Sequence, residues 1–435
     1  MGTLKKLLFQ KTFLGKIVPL FLVLSFFNCS DKCKVTNTYV YYKPVYSTTA
    51  QIKAAVGLKE AQPIAEAGKI YLKDKILFIN EVGKGIHIIN NTDPSNPKPL
   101  SFLNIPGNYD LAILGNTLYA DSFVDLVAFD VSDLSAIKEI NRIERLFNHY
   151  NSYGFYSDPQ FGTVTDWEMV KTVSIQEDDC KKNLQYWGGF YFEDGIAMAQ
   201  TASFSSKAAI APTSSTGIGG SMSRFAIANN YLYALDSYFL DVVDVSNQTQ
   251  PKPKNELQLT WQAETLFPDN KTLFVGTRSG MYIYNIESPD VPTLLSQYEH
   301  VRSCDPVVVE GDYAYVTLRD GNACGGFTNQ LEVVNIKDLK KPFSEKIYAM
   351  KNPHGLGIDK GILFICDGSD GLKVYDATDI TKIADNQLAH YGNISTLDII
   401  PYQNIAMMIG TDGLYQYDYS DVKNIKLISK LPIAK

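Results

Sequence analysis

Gly85-Ile86-His87-Ile88-Ile89-Asn90 and Asp125-Leu126-Val127-Ala128-Phe129-Asp130 are two copies of one pattern, an apolar run closed by Asp or Asn. The pattern returns as Leu240-Asp-Val-Val-Asp244, Met281-Tyr-Ile-Tyr-Asn285 and Leu331-Glu-Val-Val-Asn335, then as Leu372-Lys-Val-Tyr-Asp376 and Leu414-Tyr-Gln-Tyr-Asp418. The closing residues stand at 90, 130, 244, 285, 335, 376 and 418, so the gaps are 40, 114, 41, 50, 41 and 42. A recurring period of about 40 residues is the length of a propeller blade. Seven copies predict an all-β chain, a seven-bladed β-propeller of four-stranded antiparallel blades, with one long insertion between blades 2 and 3.

One unit shows the internal grammar. Gly355-Leu-Gly-Ile358 reads as an innermost strand, Ile362-Leu-Phe-Ile-Cys366 as the next, Leu372-Lys-Val-Tyr375 as a third, and Ile383 to His390 as the outermost. Gly in the intervening turns supplies the positive φ of tight hairpins. The closing Asp or Asn is placed to fold an Asx-turn onto its own backbone. Ile405-Ala-Met-Met-Ile409 is apolar throughout, as befits a strand covered on both faces. The 114-residue gap holds one unit plus an insertion at about 144–222. Its first half is aromatic, with Trp167, Tyr186, Trp187 and Phe190, and its second half is rich in Ser, Ala, Thr and Gly. A loop of that length in a tight array reads either as a recognition element or as a structural flap.

The N-terminus reads as an export signal. Lys5, Lys6, Lys11 and Lys16 precede the apolar run Ile17–Phe27, and Cys29 follows. That run is too short to cross a bilayer as a helix and suits a signal core. The expected division is a lipoprotein-type signal over 1–28, a tether over 29–67 with a short helical piece near Gln51–Val56, and the propeller over 68–435. Cys29 would be acylated and hold the chain to a bacterial membrane, the outer membrane of the envelope, facing the periplasm or the surface. Phe26 and Asn28 stand where such signals usually carry Leu and a small residue. Removing 1–28 leaves 36 basic against 47 acidic residues, a net charge of −11. No basic field exists to neutralise phosphates, so nucleic acid is not an expected partner. Export permits disulfides. Cys304 and Cys324 lie in the one unit that is longer than its neighbours, and bridging them would close a loop of about 20 residues, worth about 3 kcal/mol.

Leu126-Val-Ala-Phe-Asp-Val-Ser132, its cousin Leu240-Asp-Val-Val-Asp-Val-Ser246 and the partial copies resemble the LVIVD repeat, which marks a family of bacterial and archaeal cell-surface proteins. The resemblance covers about 68–432 outside the insertion and implies a propeller with an envelope binding or scaffold role. It carries no catalytic motif to transfer. Tyr284, Tyr375 and Tyr417 replace aliphatic residues, and Gln416 breaks the last copy.

Chemistry-bearing motifs are few. His87 reads as a packed histidine of a third strand. His354 stands where a central channel would begin, with no second ligand at metal spacing. Asp367-Gly-Ser-Asp370 lacks the closing Glu of a calcium loop, and neither Gly188-Gly189 nor Gly217-Ile-Gly-Gly220 sits in a phosphate-binding context. No metal and no cofactor is expected. The expected role is a non-catalytic, envelope-anchored propeller that binds a macromolecular or glycan partner, with stacking area from Trp167, Tyr186, Trp187 and Phe190. The alternative is an envelope hydrolase or lyase acting on polysaccharide or peptide through an acidic pocket on the propeller axis.

Overall fold

A computed structural model describes residues 32–147, 154–179, 191–192, 216–260, 262–300, 306–320 and 328–434. In it each of the seven repeat copies is a β-strand whose last residue is the closing Asp or Asn. Each is the third strand of a four-stranded antiparallel meander. Sheet 1 is Ala67–Lys73, Ile76–Glu81, Gly85–Asn90 and Lys98–Asn104, and sheet 2 is Leu111–Leu114, Thr117–Ser122, Asp125–Asp130 and Lys138–Ile143. Sheet 3 is Phe225–Ala228, Tyr231–Asp236, Phe239–Asp244 and Lys252–Gln258, and sheet 4 is Ala263–Asp269, Thr272–Thr277, Gly280–Asn285 and Thr293–Glu299. Sheet 5 comprises Val307–Glu310, Tyr313–Leu318, Gln330–Asn335 and Phe343–Ala349. Sheet 6 comprises Leu356–Asp359, Ile362–Cys366, Leu372–Asp376 and Gln387–Tyr391, and sheet 7 Thr396–Tyr402, Ile405–Gly410, Gly413–Asp418 and Lys426–Pro432. The outermost strand of sheet 6 starts later than the sequence predicts. Ile383 is buried in the preceding turn, where its amide donates to the Tyr348 hydroxyl at 3.2 Å.

The closing Asx residues work as their chemistry requires. In all seven sheets the Oδ1 atom accepts the backbone N–H two residues on, at 2.7–3.1 Å. The amide between them donates at 2.8–2.9 Å to the carbonyl just before or at the start of the second strand, as Val131 does to Asn116 and Tyr419 to Asn404. The side chain thus ends the third strand and aims the chain into the fourth. A register shift in the third-to-fourth pairing follows in every sheet, a bulge that adds twist at the outer edge.

The first strand of each sheet lies against the first strand of the next, and that of sheet 7 lies against that of sheet 1. The sheets pack face to face through buried aliphatic and aromatic residues, such as Ile88, Leu118, Phe129 and Leu232 in the largest cluster. Hydroxyls stitch neighbours together: Tyr119 donates to the Gln248 carbonyl and Tyr233 to that of Pro289, both at 2.9 Å. Tyr348 donates to Ile380, Tyr391 to Ile425, and Ser429 to Pro94, all at 2.6 Å. The last of these joins sheet 7 to sheet 1. At the same seam Gln416 and Asn91 exchange two amide hydrogen bonds of 2.7 and 2.8 Å. The glutamine that breaks the repeat therefore has a physical reason. Both members are buried, and each satisfies the other.

The stretch expected as a tether is ordered differently. It holds a strand, Lys32–Ser47, a helix, Thr49–Ala55, capped by Thr48 and Gln51, and a second strand, Gly57–Glu60, that pairs with the outermost strand of sheet 1. Ile52 packs with Phe123, Val124 and Phe155, so apolar side chains hold the helix to the propeller. Lys32–Ser47 also belongs to a separate sheet with Ser157–Asp158, Gly162–Asp179 and Tyr191–Phe192. Among the described residues, those within 42–168 and 199–435 form one compact unit, and those within 1–41 and 169–198 form another. Among the described residues no helix is long and apolar enough to cross a membrane.

Candidate functional site

Buried polar residues, Asn108, Asp110, Asp121 and Asp398 among them, gather at the first and second strands of the sheets. Among them runs a segment of the expected insertion. Residues 216–224 are not loop: they form a strap along the innermost strands. Thr216 bridges Leu114, and the Gly217 amide donates to Ile113 at 3.1 Å, both contacts with sheet 2. Ile218 and Gly219 pair antiparallel with Leu72 and Tyr71 of sheet 1. The Ser221 hydroxyl donates to Asp398 of sheet 7 and accepts the Leu356 amide of sheet 6, each at 2.6 Å. Lys69 donates to the Met222 carbonyl at 3.1 Å, the Leu266 amide of sheet 4 to that of Ser223 at 2.8 Å, and the Arg224 amide to Asp110 at 2.6 Å.

The glycines of Gly217-Ile-Gly-Gly220 are there for close approach. A Cβ at Gly217 would stand 2.2 Å from the Tyr71 ring, and one at Gly220 would stand 2.1 Å from an Asp398 carboxylate oxygen. A Gly- and Ser-rich stretch therefore reads as loop in sequence while being threaded through the most crowded part of the fold.

Around the strap the acids are bound by the chain itself. Asp121 Oδ1 accepts the Asn108 side-chain amide and the amides of Tyr109 and Asp110 at 2.7–2.9 Å. Burial nonetheless pushes its carboxyl up to about 6, because those bonds offset only part of the desolvation. Glu264 pairs with Arg278 at 3.1 Å, and burial still raises it. His354 lies with both ring nitrogens 2.5 and 2.9 Å from Arg319. Burial, then the guanidinium, push its pKa down to about 3, so the imidazole is neutral and faces a cation. That environment repels a metal ion. A small cleft at the root of the insertion is lined by Asp121, Phe123, Phe147, Arg224, Phe225, Leu235 and Asp236.

The residues singled out by sequence are scattered. Cys29, Cys304, Cys324, Tyr186, Trp187 and Phe190 lie outside the described residues, as do the lipid attachment and the expected disulfide. Trp167 is half-buried in the strand Gly162–Asp179, and its amide donates to Asp166 at 2.8 Å. His87 is a buried core histidine, 2.9 Å from Glu81 and with its ring tilted against that of Phe102. Burial lowers its pKa despite that acid. Asp367 accepts from the amides of Lys351 and Asn352 and pairs with Lys373. Among the described residues no three His, Cys, Asp or Glu side chains are placed to hold a metal ion. Ser221, Asp398, Asp121 and the Asn91–Gln416 pair were not found by sequence reasoning. Their partners lie far away in the chain, and only the glycines of the strap hinted at close packing.

The LVIVD repeat model matches the chain at residues 108–144, 219–257 and 302–323. The chain carries LVIVD repeats, and the second match opens inside the strap. No curated protein matches it. Among solved structures it is similar to the computationally designed Ika8 protein, with 10% identity, TM-score 0.49, and 86% of this chain and 90% of that one covered. It is similar to PorZ, a surface component of the type-IX secretion system of Porphyromonas gingivalis, with 12% identity, TM-score 0.48, and 87% and 40% covered. A protein from Lactobacillus plantarum matches with 12% identity, TM-score 0.48, and 83% and 97% covered.

Proposed function

We propose that this all-β repeat protein is a seven-bladed propeller of the bacterial envelope, anchored through acylated Cys29, that binds or scaffolds a macromolecular or glycan partner without catalysis. The observation that supports a binding role over hydrolysis is the strap. An acidic axial pocket needs two carboxylates free to act on a substrate. Here Asp110 and Asp398 are instead held by the chain's own backbone and hydroxyl groups. Recognition then falls to the loops at the mouths, where many weak contacts can converge on one partner, and to the aromatic part of the insertion. The acidic balance of the chain argues for a partner other than nucleic acid.

Two measurements test this. Metabolic labelling with a fatty-acid analogue should mark the wild-type chain and leave Cys29→Ala unlabelled and released from membranes; equal labelling of both rejects the anchor. Capture of envelope glycans or proteins should weaken about tenfold in a Tyr186→Ala, Trp187→Ala chain, as loss of two stacking rings requires. Unchanged capture removes the aromatic insertion as the recognition element.

A further inference from the structure

We infer that the axial groove of this fold is a seat for an extended, glycine-rich peptide, and that the chain fills it in cis with Thr216–Ser223. The proposal stands apart from the envelope reading, because it concerns only how the groove recognises what lies in it.

Three observations carry it. The occupant is held as a bound peptide is held, by strand addition: Ile218 and Gly219 pair with the free inner edge of sheet 1. It is read by side chain as well. Ile218 is buried among Ile70, Leu72, Ile400 and Met407. Ser221 is fully buried and makes two bonds of 2.6 Å, one to Asp398 and one to the Leu356 amide. Finally, the seat excludes side chains at two defined places, where a Cβ on Gly217 or Gly220 would meet neighbours at 2.2 and 2.1 Å. Strand pairing, one apolar socket, one hydroxyl socket and two glycine-only positions amount to a sequence rule, Gly-aliphatic-x-Gly-Ser. Because the seat is occupied in cis at high effective concentration, a peptide from elsewhere enters only when the strap leaves.

The test uses the full chain and a fluorescent peptide spanning 216–223, Thr-Gly-Ile-Gly-Gly-Ser-Met-Ser. Gly220→Val should eject the strap by collision with Asp398, and the milder Ser221→Ala should loosen it by removing the hydroxyl. Both variants should capture the peptide at least about tenfold more tightly than wild type. The same peptide carrying the Gly220→Val change should not bind. If the Gly220→Val chain loses its tertiary structure, the Ser221→Ala chain decides the matter alone. Capture by that variant no better than by wild type overturns the proposal, and so does equal capture of the native and the changed peptide.

Discussion

Asp241 shows what a single residue can cost inside such a fold. In sheets 1 and 6 the corresponding third-strand position carries a base beside an acid, His87 next to Glu81 and Lys373 next to Asp367. In sheet 3 it carries an acid, directly opposite Glu256 across the ladder. Burial, then Asp236 and Glu256, push the Asp241 carboxyl up to about 8. Between the ordinary carboxylate pKa and that value, the folded chain keeps a proton that the unfolded chain gives up. Stability therefore falls as pH rises from about 4 to about 8, and the loss is complete above that range. Asp241→Asn should gain several kcal/mol at pH 8, at about 1.4 kcal/mol for each pH unit between the two pKa values, and little at pH 4. Thermal melts of both chains across that range check it, and a difference independent of pH would sink the assignment. His354 acts in the other direction. Its depressed pKa makes folding lose stability as pH falls below about 6.5. Neither effect was legible in the sequence, where Asp241 is one more letter in an alternating run and its neighbours in space are not its neighbours in the chain.

At the scale of the element, the closing Asx was the most legible feature, because its hydrogen bond spans only two residues. Asp376→Ala should cost about 1 kcal/mol by chemical denaturation, while Asp376→Asn should cost much less, since an amide oxygen accepts the Thr378 amide equally well. Equal losses would mean that the charge, and not the turn, matters. The second and third strands were also readable, since burial on both faces leaves a continuous apolar signature. Fourth strands were harder. They are half-exposed and bulged, so their polar letters blur the period, and the one in sheet 6 was placed too early. The strap is ambiguous in sequence for the opposite reason: small residues permit both flexible linkers and the tightest packing, and composition alone does not separate the two.

For the molecule as a whole, the repeat period made the architecture readable, while the closure of the array was hidden. Each four-stranded meander is built from one uninterrupted stretch of chain, so no meander strand is exchanged between the first and last sheets. The seam depends on the Ser429 hydroxyl, the Ala434 amide reaching Ile64 at 2.7 Å, and the reciprocal pair of Asn91 and Gln416. Replacing either member, by Asn91→Val or Gln416→Val, strands a buried amide and should cost about 1–3 kcal/mol. The double replacement should recover much of that loss, giving a coupling of about 1 kcal/mol or more in a double-mutant cycle. Additive losses would show that the two amides do not depend on each other.

Uninterrupted sheets also order events in time. During synthesis the flank of sheet 1 that carries Asn91 is finished more than 300 residues before its mate in sheet 7 exists. At about 5–20 residues per second, that surface waits roughly 15–65 seconds for its neighbour. A hydrophilic amide there, in place of the aliphatic or aromatic residue that other copies carry, makes the waiting face less adhesive to nascent neighbours.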